Sequence, residues 1–318
     1  MDYSIDNNVN FALIQNSKVM KDNILKIETV DQYNSRMGIE TLHPLVSVID
    51  MSKAKPVRHA RMSFGFYTIF LKEVKCGDLI YGRQHYDYQE ATLVFLAPGQ
   101  IIGVEDNGEI IQPKGWALTF HPDLIRGTSL GRNIKNYTFF SYEVNEALHL
   151  SDQERQIVYD CLHNIEHELR HGVDKHSKTL ISRNIELLLD YCIRFYERQF
   201  ITRTNVNKDV LVKFENILND YFHTDKPRSI GLPSVKYCAD RLCLSPNYFG
   251  DLIKRETGKT AQEYIHLELI NMAKERILDT DKTISEIAYG LGFQYPQHFS
   301  RLFKKCVGCT PNEYRLQG

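Results

Sequence analysis

Ile284-Ser-Glu-Ile-Ala288, Leu291-Gly-Phe293, His298-Phe-Ser-Arg-Leu-Phe-Lys304 and Gly308-Cys-Thr-Pro-Asn-Glu-Tyr-Arg315 follow one another near the carboxy terminus of this 318-residue chain. Thr283-Ile-Ser-Glu286 has the form of a capping box: the threonine hydroxyl accepts the Glu286 N–H while the glutamate reaches back to the threonine N–H. It opens a short predicted helix with Ile287, Ala288 and Leu291 on its apolar side. Gly292-Phe293 turns the chain. Pro296 then starts a second helix where its missing N–H costs nothing, and Phe299, Leu302 and Phe303 face inward.

The same order recurs upstream. Val235, Cys238, Ala239 and Leu242 make a short helix, with Ala239 at the close crossing. Leu244-Ser-Pro-Asn247 restarts the chain, with Ser245 as N-cap and Pro246 at the first helical position. Phe249, Leu252 and Ile253 supply the buried side, and the helix ends near Thr257-Gly258. Between the two units a long helix begins at a further capping box, Thr260-Ala-Gln-Glu263. Its predicted buried stripe is Tyr264, Leu267, Ile270, Met272, Ala273 and Ile277. Two short helices around a tight turn form a helix-turn-helix, and the pairs fall at 234–257 and 284–305. Two such units on a rigid connecting helix can address major-groove faces about one helical turn, ~34 Å, apart.

This carboxy-terminal series resembles the DNA-binding domain of the arabinose-regulator (AraC/XylS-type) family over about residues 209–315. The resemblance implies a helical domain with two recognition helices on one face. For full-length members it also implies an amino-terminal cupin-like barrel and a helical dimerisation segment. Pro98-Gly99 and Phe120-His-Pro-Asp-Leu124 look like parts of that regulatory half. By position, the exposed face of the first recognition helix is Asn247, Gly250, Asp251 and Lys254; that of the second is Pro296, Gln297, Ser300, Arg301 and Lys304. The DNA-contacting set is therefore Asn247, Asp251, Lys254, Gln297, Ser300, Arg301 and Lys304. Arg301 can bond guanine O6 and N7, and Gln297 or Asn247 can bond adenine. Lys254, Lys304 and Lys305 are suited to phosphates, which position without specifying. Asp251 departs from a basic contact residue: it can accept from cytosine N4, but beside phosphates a carboxylate repels.

The amino-terminal half reads differently. Leu45–Ile49, Phe64–Leu71, Leu79–Tyr81, Thr92–Leu96 and Trp116–Phe120 are β-branched and aromatic runs separated by turn residues such as Asp106-Asn-Gly108. They predict an antiparallel barrel or sandwich. Helical spacing takes over after Phe139: Ser151-Asp-Gln-Glu154 is a capping box before Ile157, Val158, Cys161, Leu162 and Ile165. A second helix over about 175–200 carries an apolar stripe wide enough to pack on the barrel or to form a subunit interface. Polar, weakly patterned residues near 203–208 suggest a domain boundary. If the barrel takes a ligand, its aromatic candidates are Phe66, Tyr67, Tyr81, His85, Tyr86 and Trp116, each of which can equally be ordinary core.

A formal net charge of -1 makes bulk charge no guide to a nucleic-acid partner, because a basic face can hide in a neutral total. Seven cysteines, an odd number in mostly apolar runs, suit reduced thiols rather than a disulfide framework. Cys306-Val-Gly-Cys309 has the spacing of half a zinc site but no second pair. His85 is alone in the stretch where metal-binding cupins carry paired histidines, and His43, His59 and His121 are scattered. No secretory signal or long apolar run is present.

The reading is an α+β multidomain protein. Residues 1–139 form a cupin-like sensory barrel and 140–202 a helical dimerisation or packing segment. A linker spans 203–208, and 209–318 form an all-α DNA-binding domain with two helix-turn-helix units. Its expected role is a cytoplasmic, non-enzymatic transcriptional regulator without cofactor or metal. Its expected partners are promoter duplexes, a small-molecule effector, a second copy of itself and RNA polymerase, with no membrane. The alternatives are a metal-dependent cupin enzyme with a DNA-binding tail, and a ligand-independent regulator controlled by a protein partner through 151–200.

Overall fold

The computed structural model describes residues 24–58, 61–72, 91–102, 110–142, 146–172, 174–202, 204–278 and 281–317. They divide into two compact units. One comprises residues up to Ile134 with His149–Leu188, the other Lys135–Leu148 with Leu189–Gly318. This division differs from a single boundary at 203–208, because the chain passes between the units more than once.

In the first unit, β1 (Leu25–Ile27), α1 (Val30–Met37), β2 (Val46–Asp50), β3 (Val57–Arg58), β4 (Met62–Phe64), β5 (Tyr67–Lys72), β6 (Thr92–Leu96), β7 (Ile101–Ile102), β8 (Ile110–Ile111) and β9 (Gly115–Phe120) follow in order. Four strands of the five-stranded central sheet run β6-β5-β9-β2, antiparallel to their neighbours. The strands β1-β4-β7 form a second sheet and β3-β8 a third, so the described strands lie in separate sheets. Register pairs Thr68 with Leu96 on one side and with Thr119 on the other, and Ser47 with Thr119 beyond. Every residue of β6 is buried, as its unbroken apolar run requires of a strand covered on both faces. The expected run Phe64–Leu71 is broken at Gly65-Phe66 into β4 and β5. A Cβ at Gly65 would stand 2.8 Å from the Glu28 carbonyl oxygen, so only glycine lets the chain pass there. Tyr33, Phe64, Phe66 and Phe70 form an aromatic cluster with centroids 5.4–6.4 Å apart.

Short helices α2 (Pro122–Ile125) and α3 (Ser129–Asn133) follow the sheet, and α4 (Asp152–Arg170) starts at the expected Ser151–Glu154 capping box. It buries Val158, Cys161, Leu162, Ile165 and Leu169 and packs on β2. The 26-residue α5 (Ser177–Thr202) buries Ile181, Ile185, Leu188, Leu189, Cys192 and Tyr196. Leu180, Leu187 and Ile193 on the same helix are exposed.

The second unit is helical: α6 (Thr204–Phe222), α7 (Lys226–Ile230), α8 (Val235–Leu242), α9 (Pro246–Thr257), α10 (Ala261–Ile277), α11 (Ile284–Gly290), α12 (Pro296–Val307) and α13 (Pro311–Gln317). Most of the stretch read as a linker is thus the first turn of α6. Asn207 explains it: its buried side chain donates to the Phe200 carbonyl at 2.8 Å and to Glu256 at 3.2 Å, satisfying a helix end that water would otherwise serve. On α10 the buried residues are Ala261, Ile265, Leu269, Ile270, Ala273 and Ile277, while Leu267 is exposed. Packed on several neighbours, α10 presents no single stripe, which is why one periodicity misassigned part of it. Arg276 joins three helices by donating to the Phe222 and Gly290 carbonyls, and Arg315 donates to the Ile277 carbonyl at the end of α10.

Candidate nucleic-acid interface

Two helix pairs, α8/α9 and α11/α12, flank α10. In the first, Ser234 and Ser245 cap α8 and α9 through their hydroxyls. Between them Cys243 takes a left-handed conformation, φ 56°, unusual for a residue with a Cβ. In the second pair the capping box Thr283–Glu286 forms as expected, and Gly292 makes the turn at φ +94°. A Cβ at Gly292 would lie 2.9 Å from backbone atoms of Gly231 and Pro227. Ala239 and Ala288 are wholly buried where the helices of each pair cross.

The buried side of α9 is Tyr248, Phe249, Leu252 and Ile253, and Phe249 meets Phe214 edge-on with centroids 4.9 Å apart. The buried side of α12 is Phe299 and Phe303. Opposite them, Gln297, Arg301 and Lys304 are exposed, with Ser300 half-buried at the edge. Spacings of four and three residues set these side chains on one face. Arg301 and Lys304 give that face two cations, and Lys305 adds a third beside it. His298, adjacent to the inward Phe299, is exposed and meets Tyr295 edge-on.

On α9 the equivalent positions are Asn247, Asp251 and Lys254. Asn247 and Lys254 are exposed. Asp251 is half-buried: its Oδ2 accepts the Thr138 hydroxyl at 2.8 Å and the Tyr142 hydroxyl at 2.6 Å. The expected base-contact residue is therefore engaged inside the protein, and α9 lacks the net positive face of α12. Burial, followed by the Asp251 charge, pushes the Tyr142 phenol far up, so it stays a donor. At the start of α9 the Glu146 carboxylate, 2% exposed, accepts both the N–H and the hydroxyl of Ser245. No sequence pattern marked Thr138, Tyr142 or Glu146, since roughly a hundred residues separate them from α9.

The six aromatic candidates for an effector do not share one environment. Phe66 packs with Tyr33 and Phe64, Tyr67 stacks on Phe120 at 5.0 Å, and Trp116 meets Tyr159 and His163 edge-on. Tyr81, His85 and Tyr86 lie outside the described residues. Sequence reading passed over Thr68 and Thr119, which face each other across β5 and β9; both hydroxyls are buried without a hydrogen-bond partner among the described residues. Among the described residues no group of three or more His, Cys, Asp or Glu side chains could hold a metal ion, and no helix is long and apolar enough to cross a membrane.

Residues 238–317 match the model of a family described as a helix-turn-helix domain. The TetD protein of transposon Tn10 from Escherichia coli is 34% identical over 134 residues, 42% of this chain and 83% of TetD. The arabinose operon regulatory protein of Escherichia coli (strain K12) is 32% identical over 77 residues, 24% of this chain and 26% of that protein. The HTH-type transcriptional regulator YtdP of Bacillus subtilis (strain 168) is 32% identical over 112 residues, 35% of this chain. The match spans only 14% of YtdP's own length. With the helix-turn-helix match and these relatives in agreement, the chain belongs to the arabinose-regulator (AraC/XylS-type) family of transcriptional regulators.

Proposed function

We propose that this chain is a sequence-specific regulator of transcription that binds promoter DNA through two helix-turn-helix units, α8/α9 and α11/α12. The observation that carries the reading is the face of α12. Gln297, Arg301 and Lys304 stand exposed in line, opposite the two buried phenylalanines that fix the helix in the matched domain. Arg301 reads guanine and Gln297 adenine, with Ser300 at the edge and Lys304 on phosphate. Asn247 and Lys254 serve the other unit.

The first unit is the sensory half in this reading, and its strands belong to the cupin-like barrel expected over about 1–139. Thr68 and Thr119 are the side chains best placed to meet a small effector, because their buried hydroxyls lack partners among the described residues. Leu180 and Leu187, 45% and 46% exposed and two helical turns apart on α5, favour a homodimer over packing within one chain. Effector binding then shifts the population between arrangements that engage DNA differently, in proportion to its difference in affinity for them.

The test is selection of bound sequences from a random duplex library with wild type and Arg301→Ala in parallel at physiological salt. The expected motif has two blocks about one turn apart. The substitution relaxes one block and costs about 1–3 kcal/mol of discrimination there. Failure to recover any motif, at any salt tried, overturns the reading.

A further inference from the structure

We propose that the chain carries its own strap on the first reading helix. Residues Thr138–Tyr142 and Glu146–Leu148 hold α9 by the face that would meet DNA, and their release is the step that brings this helix into play. The inference rests on the DNA-reading function above and adds to it a named contact that withholds one of the two reading helices.

One side of α9 is buried and the other turns outward. Phe249, Leu252 and Ile253 point into the helical core, so Asn247, Asp251 and Lys254 occupy the outward face. In the middle of that face the Asp251 carboxylate is taken by two hydroxyls, from Thr138 and Tyr142. The Tyr142 ring also stands edge-on to Tyr248, with centroids 5.2 Å apart, beside the helix start. At the helix start itself, Glu146 covers Ser245. The amino-terminal end of a helix carries partial positive charge and attracts anions such as phosphate. In this chain a buried carboxylate already holds that position. Asp251 and Glu146 thus place two carboxylates on and beside the face proposed to meet DNA, where a negative charge would repel phosphate. Among the described residues α12 has no such cover: Gln297, Arg301 and Lys304 are all exposed.

The strap is gripped from its other side by the end of α5. Tyr196 donates its hydroxyl to the Glu146 carbonyl at 3.1 Å, and Gln199 Nε2 donates to the Ala147 carbonyl at 3.2 Å. Tyr137 donates to Asp190 at 2.8 Å, and Phe139 stacks on Tyr196. The path of the chain explains why such a contact would be regulated. It leaves the first unit after Ile134, forms the strap, and returns to the first unit at His149. Both ends of the strap are thus covalently continuous with the proposed sensory half. A rearrangement there bears on α9 directly, through hydrogen bonds that are either made or broken.

A plain buttress predicts the opposite of a strap: loosening it would weaken DNA binding. The experiment uses the full 318-residue chain with Thr138→Val and Tyr142→Phe together, which leaves every α9 side chain unchanged. Wild type and variant are each taken through the random-duplex selection, and the recovered duplexes are titrated by fluorescence anisotropy. Arg301→Ala is introduced in both backgrounds. The expected result is binding about tenfold tighter in the double variant, as for a strap closed in roughly nine molecules of ten, with Arg301→Ala weakening both. Selection should also sharpen the block assigned to α9. Equal or weaker binding by a folded double variant overturns the strap while leaving the DNA-reading function standing. If the double variant does not fold, Tyr142→Phe alone must give a smaller gain of the same sign, and no gain overturns the proposal. Absence of any recovered duplex with every protein overturns the DNA-reading function itself, and the strap with it.

Discussion

Glu146 and Ser245 form a two-point contact across 99 residues of sequence: one carboxylate oxygen accepts the serine N–H at 2.6 Å and the other accepts its hydroxyl. Ser245 in turn caps α9, its hydroxyl oxygen accepting the Tyr248 N–H at 3.2 Å. A single serine thus connects the start of a proposed DNA-reading helix to a loop that belongs, by sequence, to the other half of the protein. Because the carboxylate is buried at the positive end of the helix, its contribution is little screened by solvent.

Replacing Glu146 should therefore act on α9 at a distance in sequence. Glu146→Ala is expected to cost about 2–3 kcal/mol of stability, as for hydrogen bonds to a charged group. Glu146→Gln should cost less, because its amide oxygen still accepts. Urea unfolding gives the totals, and hydrogen exchange should show faster exchange of the Ser245 amide in both variants. Unchanged exchange there would mean the contact does not hold the helix.

Thr68→Val and Thr119→Val should each stabilise the protein, by about 1 kcal/mol, since valine keeps the shape and removes a buried hydroxyl that has no partner among the described residues. The double substitution should not simply add, because the two residues pair across β5 and β9. Thermal unfolding checks the direction. A fall in Tm would mean that the hydroxyls are satisfied in the folded protein.

Two glycines with left-handed backbone angles should respond unequally to alanine. Gly258, φ +71°, has nothing within 4 Å of where a Cβ would stand, so Gly258→Ala should cost about 1 kcal/mol of backbone strain alone. Gly292→Ala adds close approaches to Gly231 and Pro227, which are backbone and cannot step aside. Its cost should reach about 3 kcal/mol. Equal losses in urea unfolding would show that the α7–α11 crossing yields more easily than its spacing suggests.

Three capping glutamates make stability depend on acidity. Glu263, Glu286 and Glu313 are held below the ordinary carboxylate value, first by the backbone N–H of Thr260, Thr283 and Thr310 and then by their hydroxyls. A depressed folded pKa means that the charged carboxylate is favoured by folding. This stabilisation is complete above the unfolded glutamate value, about pH 4.3, and is lost as pH falls through the lower folded value. Melting curves between pH 7 and pH 3 should show the loss. The triple variant Glu263→Gln, Glu286→Gln, Glu313→Gln, whose amides cap without titrating, should show a flatter dependence.

Local chemistry made much of the second unit legible from its amino acids. Thr260, Thr283 and Ser245 announce helix starts because their side chains bond the next turn of backbone, a contact three residues long. Phe249, Phe299 and Phe303 mark the buried sides because helical spacing alone sets them together. The outward line of Gln297, Arg301 and Lys304 follows from the same period. In the first unit the runs that became β2, β6 and β9 were readable as alternating or wholly apolar strands, whereas the break at Gly65 depends on the approach of Glu28.

What only the tertiary structure decided lies in contacts that no period encodes. The polar stretch near 203–208 is mostly helix because Asn207 reaches the Phe200 carbonyl and Glu256. Asp251 sits at a position that the family resemblance implies for a DNA contact, yet it accepts hydrogen bonds from Thr138 and Tyr142. A residue's face on its own helix is set within about two turns of sequence; what covers that face is set by segments a hundred residues away. The sequence by itself therefore determined which side chains α9 and α12 turn outward, and the fold alone decided that one of those faces is held.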